Sequence, residues 1–286
     1  MPKRSSIMVS MNRLSTEMRV QVVAALVEGN SIRATCRMTG VAKNTVVKLL
    51  TELGEVCQRY QDEHLRNLPC KRVQCDEIWS FCHAKEKNVA DEHKGEFGYG
   101  DVWTWTALCA DSKLVPCWLV GRHGAAEANE FMSDLASRLS NRVQLTTDGN
   151  KAYFEAVENA FGDNIDYAIL QKLYGSEPEG QKRYSPAKCL GAEARLITGQ
   201  PISRDISTSY VERQNLTMRM GMRRFTRLTN AFSKKVENLM HAVSLHFMYY
   251  NFARVHKSIG TSPAKAAGVT DHVWSLHEIV ALLDSN

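Results

Sequence analysis

Long apolar runs are missing from the 286-residue sequence: nothing approaches the roughly 18 consecutive apolar residues that a membrane helix needs. The opening segment, MPKRSSIMVSMNRLS, also lacks an apolar stretch long enough for a signal peptide. A cytoplasmic protein with no membrane partner is therefore the expectation. Paired cysteines are missing as well. Cys36, Cys57, Cys70, Cys75, Cys82, Cys109, Cys117 and Cys189 form no Cys-x-x-Cys pair and no Cys/His spacing of a structural zinc site. They are expected to be reduced, with Cys109 and Cys117 acting as small hydrophobes in strand-like runs. A metal role for Cys70 and Cys75 with His64 or His83 is the weaker reading.

What is present is an ordinary globular balance. At 44% hydrophobic and 23% charged, the chain is long enough for one sizeable core plus a smaller domain. The net charge of +5 is unevenly spread. Residues 1–75 and 207–286 are basic, whereas residues 76–206 are net acidic. An acidic middle between basic ends suits a cation-collecting site flanked by surfaces for a polyanion. Ordinary variation in surface charge gives the same distribution.

The stretch Cys75-Asp76-Glu77-Ile78-Trp79-Ser80-Phe81 places two carboxylates in what otherwise reads as a strand. An ionised side chain there is costly without a compensating cation or hydrogen bonds, so Asp76 is a candidate ligand of a divalent metal. Strand alternation sends Asp76 and Glu77 to opposite faces, so only one is expected to join such a cluster directly.

Upstream, three helices are predicted. Ser15 precedes Met18 by three residues, as in a capping box, and Met18, Val22, Val23, Leu26 and Val27 mark an apolar face. Ser31 caps the next helix, which Gly40 ends. The third carries Val46, Val47, Leu49, Leu50 and Leu53. This spacing matches a helix-turn-helix, whose third helix would present Lys43, Asn44, Thr45 and Lys48 to phosphates and base edges of a major groove. A small helical bundle for protein contacts has the same pattern. Leu53 to Leu68 continue as a polar helical connector, and Pro69 marks a boundary.

Downstream, Val102–Leu108 and Lys113–Val120 read as a hairpin about Asp111-Ser112, Ala125–Leu139 as a helix, and Arg142–Thr147 as a strand ending on Asp148-Gly149. A helix over Ala152–Phe161 and a strand near Tyr167–Leu170 follow, giving a mixed sheet with helices on its faces. Asp148 sits at a strand end, where open α/β sheets bind ligands, although an Asp-Gly there is also a common turn. Residues 175–206, including Lys182, Arg183 and Lys188, read as an excursion. In the helix that follows, Ser209-x-x-Glu212 matches a capping box, while Asn215 and Arg219 share a face with Glu212. A carboxylate, an amide and a guanidinium in line point to a surface for metal and phosphate. Arg223, Arg224, Arg227, Lys234 and Lys235 extend the positive charge, and a last helix from about Lys235 to Arg254 carries core aromatics.

The strings CDEIWSF, TTDGNKAY, SYVERQNLTMRMGMRRFTRL and HFMYYNFARVHKSIGTSPAKAAG resemble bacterial insertion-sequence transposases, nearest to the insertion-element-one family. The paired cysteines of that family's N-terminal zinc ribbon are missing. The resemblance spans about residues 71–270 and implies the Asp, Asp, Glu (DDE) triad of transposases and integrases on a ribonuclease H-like fold, with Asp76, Asp148 and Glu212 as catalytic and metal-binding residues. It implies an α/β fold, a ribonuclease H-like mixed sheet with flanking helices, preceded by an all-α helix-turn-helix domain. The expected division is residues 1–55 for the helix-turn-helix, 56–70 for the connector, 71–255 for the catalytic domain with an insertion near 175–206, and 256–286 for a C-terminal segment.

The implied activity is metal-dependent DNA cleavage and strand transfer with two Mg²⁺ or Mn²⁺ ions per site, Asp76 bridging them. Asn215, Arg219, Arg223 and Arg224 would join Lys43, Asn44, Thr45 and Lys48 in contacting DNA. The implied partners are double-stranded DNA, as element ends and target, and further copies of the chain in a homo-oligomer. His256 and Lys257 are candidates for phosphate contact, although His256 also reads as a satisfied helix-end histidine. Two other classes fit less well: a DNA-binding regulator with an inactive ribonuclease H-like scaffold, and a nuclease for RNA–DNA hybrids, which has no need of duplex reading.

Overall fold

The computed structural model describes residues 13–175, 189–227 and 229–285. The basic opening segment through Asn12, and Lys182, Arg183 and Lys188, lie outside the described residues. Helix α1 (Thr16–Val27) starts where Ser15 Oγ accepts the Met18 amide at 3.2 Å, and α2 (Ile32–Thr39) where Ser31 Oγ accepts that of Ala34 at 3.1 Å. Gly40, at φ 72°, closes α2 in the left-handed conformation that glycine adopts without penalty. Helix α3 (Lys43–His64) then runs unbroken for 22 residues, so the predicted third helix and most of the polar connector form one rod. Val22, Val23, Val46 and Leu53 are fully buried where these helices meet.

Helix α3 lies along α7 (Val236–Met248), and at Gly54 the α3 backbone comes directly against His241 of α7. A methyl group on Gly54 would sit 2.6 Å from His241 Cα and 2.8 Å from its carbonyl oxygen. The Ser244 hydroxyl donates to the Gly54 carbonyl at 2.8 Å, and Gln61 Nε2 donates to the Ser244 carbonyl at 3.2 Å. Glycine inside a helix ordinarily costs about 1 kcal/mol relative to alanine. Here the clash with backbone outweighs that gain, and Gly54→Ala is expected to destabilise the fold by about 1–3 kcal/mol. The check is urea unfolding: the midpoint should fall with little change in slope, and a variant as stable as its parent would refute the close approach.

Six strands form one mixed sheet: β1 (Arg72–Cys82), β2 (Gly100–Cys109), β3 (Trp118–Gly121), β4 (Gln144–Thr147), β5 (Asp166–Tyr174) and β6 (Cys189–Thr198), in spatial order β3-β2-β1-β4-β5-β6. Strand β1 is antiparallel to β2 from Val73↔Cys109 to Cys82↔Gly100, but parallel to β4 only from Arg72↔Gln144 to Gln74↔Thr146. From Cys75 onward, therefore, one edge of β1 has no β4 partner. Strand β3 is shorter than the predicted Lys113–Val120 run, because Pro116 offers no amide to a ladder. Strand β6 falls inside the predicted excursion. Its residues are exposed almost throughout, so it adds hydrogen bonds to the sheet edge without the buried alternation by which strands are recognised.

Helices α4 (Ala125–Arg138) and α5 (Ala152–Phe161) cover one face of the sheet, where Val73, Cys75, Trp105, Phe131 and Tyr153 share a core. Helices α6 (Ser209–Gly221) and α7 cover the other, where Ile78, Cys82, Val211, Met218, Leu239 and Phe247 pack. A π-helical turn, Tyr249–Ala253, ends α7 and buries Tyr250 and Phe252 as predicted for core aromatics. After α8 (Pro263–Ala266), α9 (Leu276–Ala281) starts with a Ser275/Glu278 capping box and returns the C-terminal segment to α1, where Asp284 meets Arg19 at 3.4 Å. No helix among the described residues is long and apolar enough to cross a membrane.

Candidate metal centre

Two strands that run parallel side by side deliver the first two carboxylates to one place. Strand β4 stops at Thr147, and the chain turns away at Asp148, whose Oδ1 accepts the Asn150 amide at 3.0 Å. Asp76 lies just past the last β1–β4 pair, beside that turn. Carboxylate oxygens of Asp76, Glu77 and Asp148 all lie within 4.8 Å of one another, close enough to share an ion. Among the described residues this is the one such group of three or more His, Cys, Asp or Glu side chains.

Glu77 thus enters the cluster, against the expectation that alternation would keep it out. The two side chains do start on opposite faces: Asp76 reaches Asn215 on α6, whereas Glu77 reaches Asn150 at 3.3 Å and His123 at 3.8 Å near α5. Both can turn toward Asp148 because the edge of β1 between them is unpaired. Sequence periodicity assumes a continuous sheet, and the sheet ends here.

Asp76 is held from two sides. Its Oδ1 accepts the Glu77 amide at 2.9 Å and its Oδ2 accepts Asn215 Nδ2 at 2.8 Å. Helix α6 is in turn fixed to β1 by Gln74, whose Oε1 accepts the free amides of Tyr210 and Val211 at 2.9 and 3.1 Å. Burial, and then the charges of Glu77 and Asp148, push the Asp76 pKa up to about 7. Burial followed by Glu77 also raises that of Asp148. His123 has a raised pKa, chiefly through the Glu77 carboxylate 3.8 Å from its Nε2, and it stacks on Trp103 with centroids 4.3 Å apart. Hard oxygen ligands in a mutually repelling group are the donor set that Mg²⁺ or Mn²⁺ requires.

Glu212 stands at the margin of this group. The Ser209-x-x-Glu212 capping box is not formed: Thr208 is the N-cap residue, and its hydroxyl donates to Glu212 Oε1 at 2.6 Å. Glu212 Oε2 forms an ion pair with Lys172 of β5. Burial opposes the charge on Lys172, but the Glu212 bond prevails and its pKa is raised. Glu212 is near enough for its charge to raise both Asp76 and Asp148.

The other predicted residues fall into two groups. Asn215 touches Asp76, and Arg219 lies near it with a buried Nη1 that has no hydrogen-bond partner; burial, then Arg227, lower the Arg219 pKa against the pull of Asp76. Lys43, Asn44 and Lys48 instead line a cleft of about 1110 Å³ together with Arg223 and Arg224. Thr45 is half-buried beside it, and Arg224 Nη1 donates to Ser233 Oγ at 2.7 Å. His256 is half-buried with Nε2 3.2 Å from the Tyr250 carbonyl, a local contact that matches the satisfied helix-end reading.

Sequence reasoning missed Gln74, His123, Asn150 and Lys172. Only Asn150 left a trace, as part of the TTDGNKAY string; the others act across the sheet and have no local signature. No protein-family model matches the chain, and no curated protein does. Among solved structures, the chain is similar to a piggyBac transposase synaptic complex with hairpin DNA, at 10% identity and TM-score 0.44 over 98% of this chain and 73% of that one. It is also similar to the Mos1 strand transfer complex, at 12% identity and TM-score 0.25 over 83% of this chain and 76% of that one. At these TM-scores the likenesses are too loose to bear on function, which rests on the chain's own site.

Proposed function

We propose that the chain is a DDE-type DNA transposase of the insertion-sequence kind, a divalent-metal-dependent polynucleotidyl transferase. The observation that carries this reading is the meeting of Asp76 and Asp148 at the adjoining edges of parallel neighbours β1 and β4. The strand order, with β1 antiparallel to β2 and parallel to β4, supports a ribonuclease H-like architecture. Helices α1 to α3, with the left-handed Gly40 between α2 and α3, support an N-terminal helix-turn-helix.

Asp76, Glu77 and Asp148 would hold the ions, with Glu212 completing the set once it leaves Lys172. When bound, the ions would activate an attacking oxygen and stabilise the leaving one. The chain's own residues supply position. Asn215 and the Glu77 amide orient Asp76, Asn150 orients Asp148, and Arg219, near Asp76, would add positive charge beside the cluster. Duplex DNA would meet Lys43, Asn44, Thr45 and Lys48, and joining two element ends calls for a homo-oligomer. Acting on DNA, the protein would work in the cytoplasm.

Incubating the purified protein with Mg²⁺ or Mn²⁺ and a duplex carrying the repeats that flank its gene tests the reading. Nicking at the repeat boundary and joining to a second duplex are expected, both lost in EDTA. The Lys172–Glu212 ion pair favours a second reading, a DNA-binding regulator on an inactive scaffold. Tight duplex binding with no cleavage under either metal would select it.

A further inference from the structure

Helices α4 and α5 cover only part of their face of the sheet. Trp105, the register partner of Glu77, is fully buried beneath them, with Tyr153 at 5.4 Å edge-on. Beyond Glu77 on the same face, Trp79, its partner Trp103 and Phe81 are only half-buried. Trp79 and Phe81 are thus partly exposed aromatic residues at consecutive outward positions of β1.

The rings form a line leading away from the carboxylates. Trp79 and Phe81 have centroids 5.7 Å apart and tilted by 37°, and Phe81 and Phe232 are 4.7 Å apart at 34°. Phe81 has a ring neighbour on either hand, whereas Trp79, at the end of the row, has Phe81 as its one ring contact among the described residues, which leaves a Trp79 face free of another ring. Cations accompany them: Lys85 Nζ lies 5.9 Å from the Phe81 centroid, and Lys234 Nζ 4.2 Å from that of Phe232. Phe232 also lines the cleft of about 1110 Å³ between α3 and the segment after α6, whose lining contains no acidic residue. The strip therefore runs from the acidic cluster to a basic cleft that holds Lys43 and Lys48.

We propose that Trp79, Phe81 and Phe232 form a stacking platform for unpaired bases of a DNA strand, entering between the basic cleft and the carboxylate cluster. Aromatic faces flanked by lysines are the chemistry that binds single strands without sequence preference, the rings taking bases and the cations taking phosphates. Inside a duplex the base faces are already stacked on one another, so apart from the terminal pair a duplex offers such a platform nothing to bind. The identity of the strand as DNA rests on the transposase reading; the stacking itself does not depend on catalysis.

Fluorescence anisotropy in EDTA tests the platform without any cleavage. Two labelled duplexes of equal sequence are compared, one blunt and one with three unpaired nucleotides at an end. One stacked base is worth roughly 5- to 150-fold in affinity. The native protein should prefer the tailed duplex by at least about tenfold, with quenching of tryptophan fluorescence. Trp79→Leu with Phe81→Leu, which keeps apolar volume but removes the rings, should cut the preference below about threefold and leave blunt-duplex binding unchanged. Trp79→Phe should retain most of it, which guards against a variant that merely misfolds.

A native protein with no preference for the tail, or a leucine variant that keeps it, would overturn the platform. So would loss of a dimer in the leucine variant at unchanged tail preference, which would mean that a second copy covers the strip. A preference seen in a protein with no cleavage activity would uphold the platform while the transposase reading fails.

Discussion

For the transposase proposed above, Asp76→Asn and Asp148→Asn are each expected to lower metal-dependent DNA cleavage by at least about 10³-fold, equivalent to about 4 kcal/mol of transition-state stabilisation. Both substitutions preserve shape and remove one negative charge from a group whose oxygens lie within 4.8 Å of one another. Binding to blunt duplex should survive, because Lys43 and Lys48 line a separate cleft. Glu212→Gln should be equally damaging if Glu212 completes the ion site, and should release Lys172. Glu77→Gln distinguishes the resemblance from the geometry. A triad of Asp76, Asp148 and Glu212 alone predicts little effect, whereas a carboxylate within the cluster predicts a clear loss of metal affinity. Cleavage time courses with titrated Mn²⁺ read all four, and full activity in Asp76→Asn or Asp148→Asn would sink the site.

The second large effect concerns stability in the absence of metal. Asp76 titrates at about 7 in the fold against 3.8 for an ordinary aspartate, so the folded chain binds this proton more tightly than the unfolded chain. Its contribution is then full below about pH 4 and is lost as pH rises toward 7, at about 1.4 kcal/mol per unit of separation. Asp148, raised in the same sense, adds to the trend. His246 opposes it. Burial pushes that histidine down to about 3, and its contribution is full above the ordinary histidine value and falls on acidification.

The comparison with Asp76→Asn isolates the carboxylate. In EDTA the variant should be the more thermally stable of the two at pH 8, with the difference shrinking toward pH 5. Mg²⁺ or Mn²⁺ should raise the melting temperature of the native protein at pH 8, more than at pH 5, and leave the variant nearly unmoved. A melting temperature in EDTA whose difference from the variant is flat between pH 5 and 8 would refute the raised pKa.

Much of this architecture is legible in residue order because it is set locally. Ser15, Ser31 and Gly40 mark helix ends through hydrogen bonds that span three or four residues, and the structure forms them as read. Asp76 is legible as an acid in a costly place and Asp148 as an acid at a strand end, where open α/β sheets bind ligands, and the structure brings them together. The Ser209/Glu212 box failed because the helix starts one residue earlier, at the Thr208 cap, and its glutamate is taken by the Thr208 hydroxyl and by Lys172 across the sheet. Strand β6 stayed hidden because an exposed edge strand buries no alternating set of side chains.

By itself the sequence marked the caps at Ser15, Ser31 and Gly40, most of the runs that become strands and the acids that are candidate ligands, since each depends on neighbours in the chain. Tertiary structure alone decided that Glu77 joins Asp76, because that depends on where β4 stops pairing with β1. It also decided that Gly54 must lack a side chain, that Gln74 anchors α6, and that Trp79, Phe81 and Phe232 fall in one line. The reason is the same in each case: the partner lies on another element, many residues away, and only the packed sheet and helices set the distance between them.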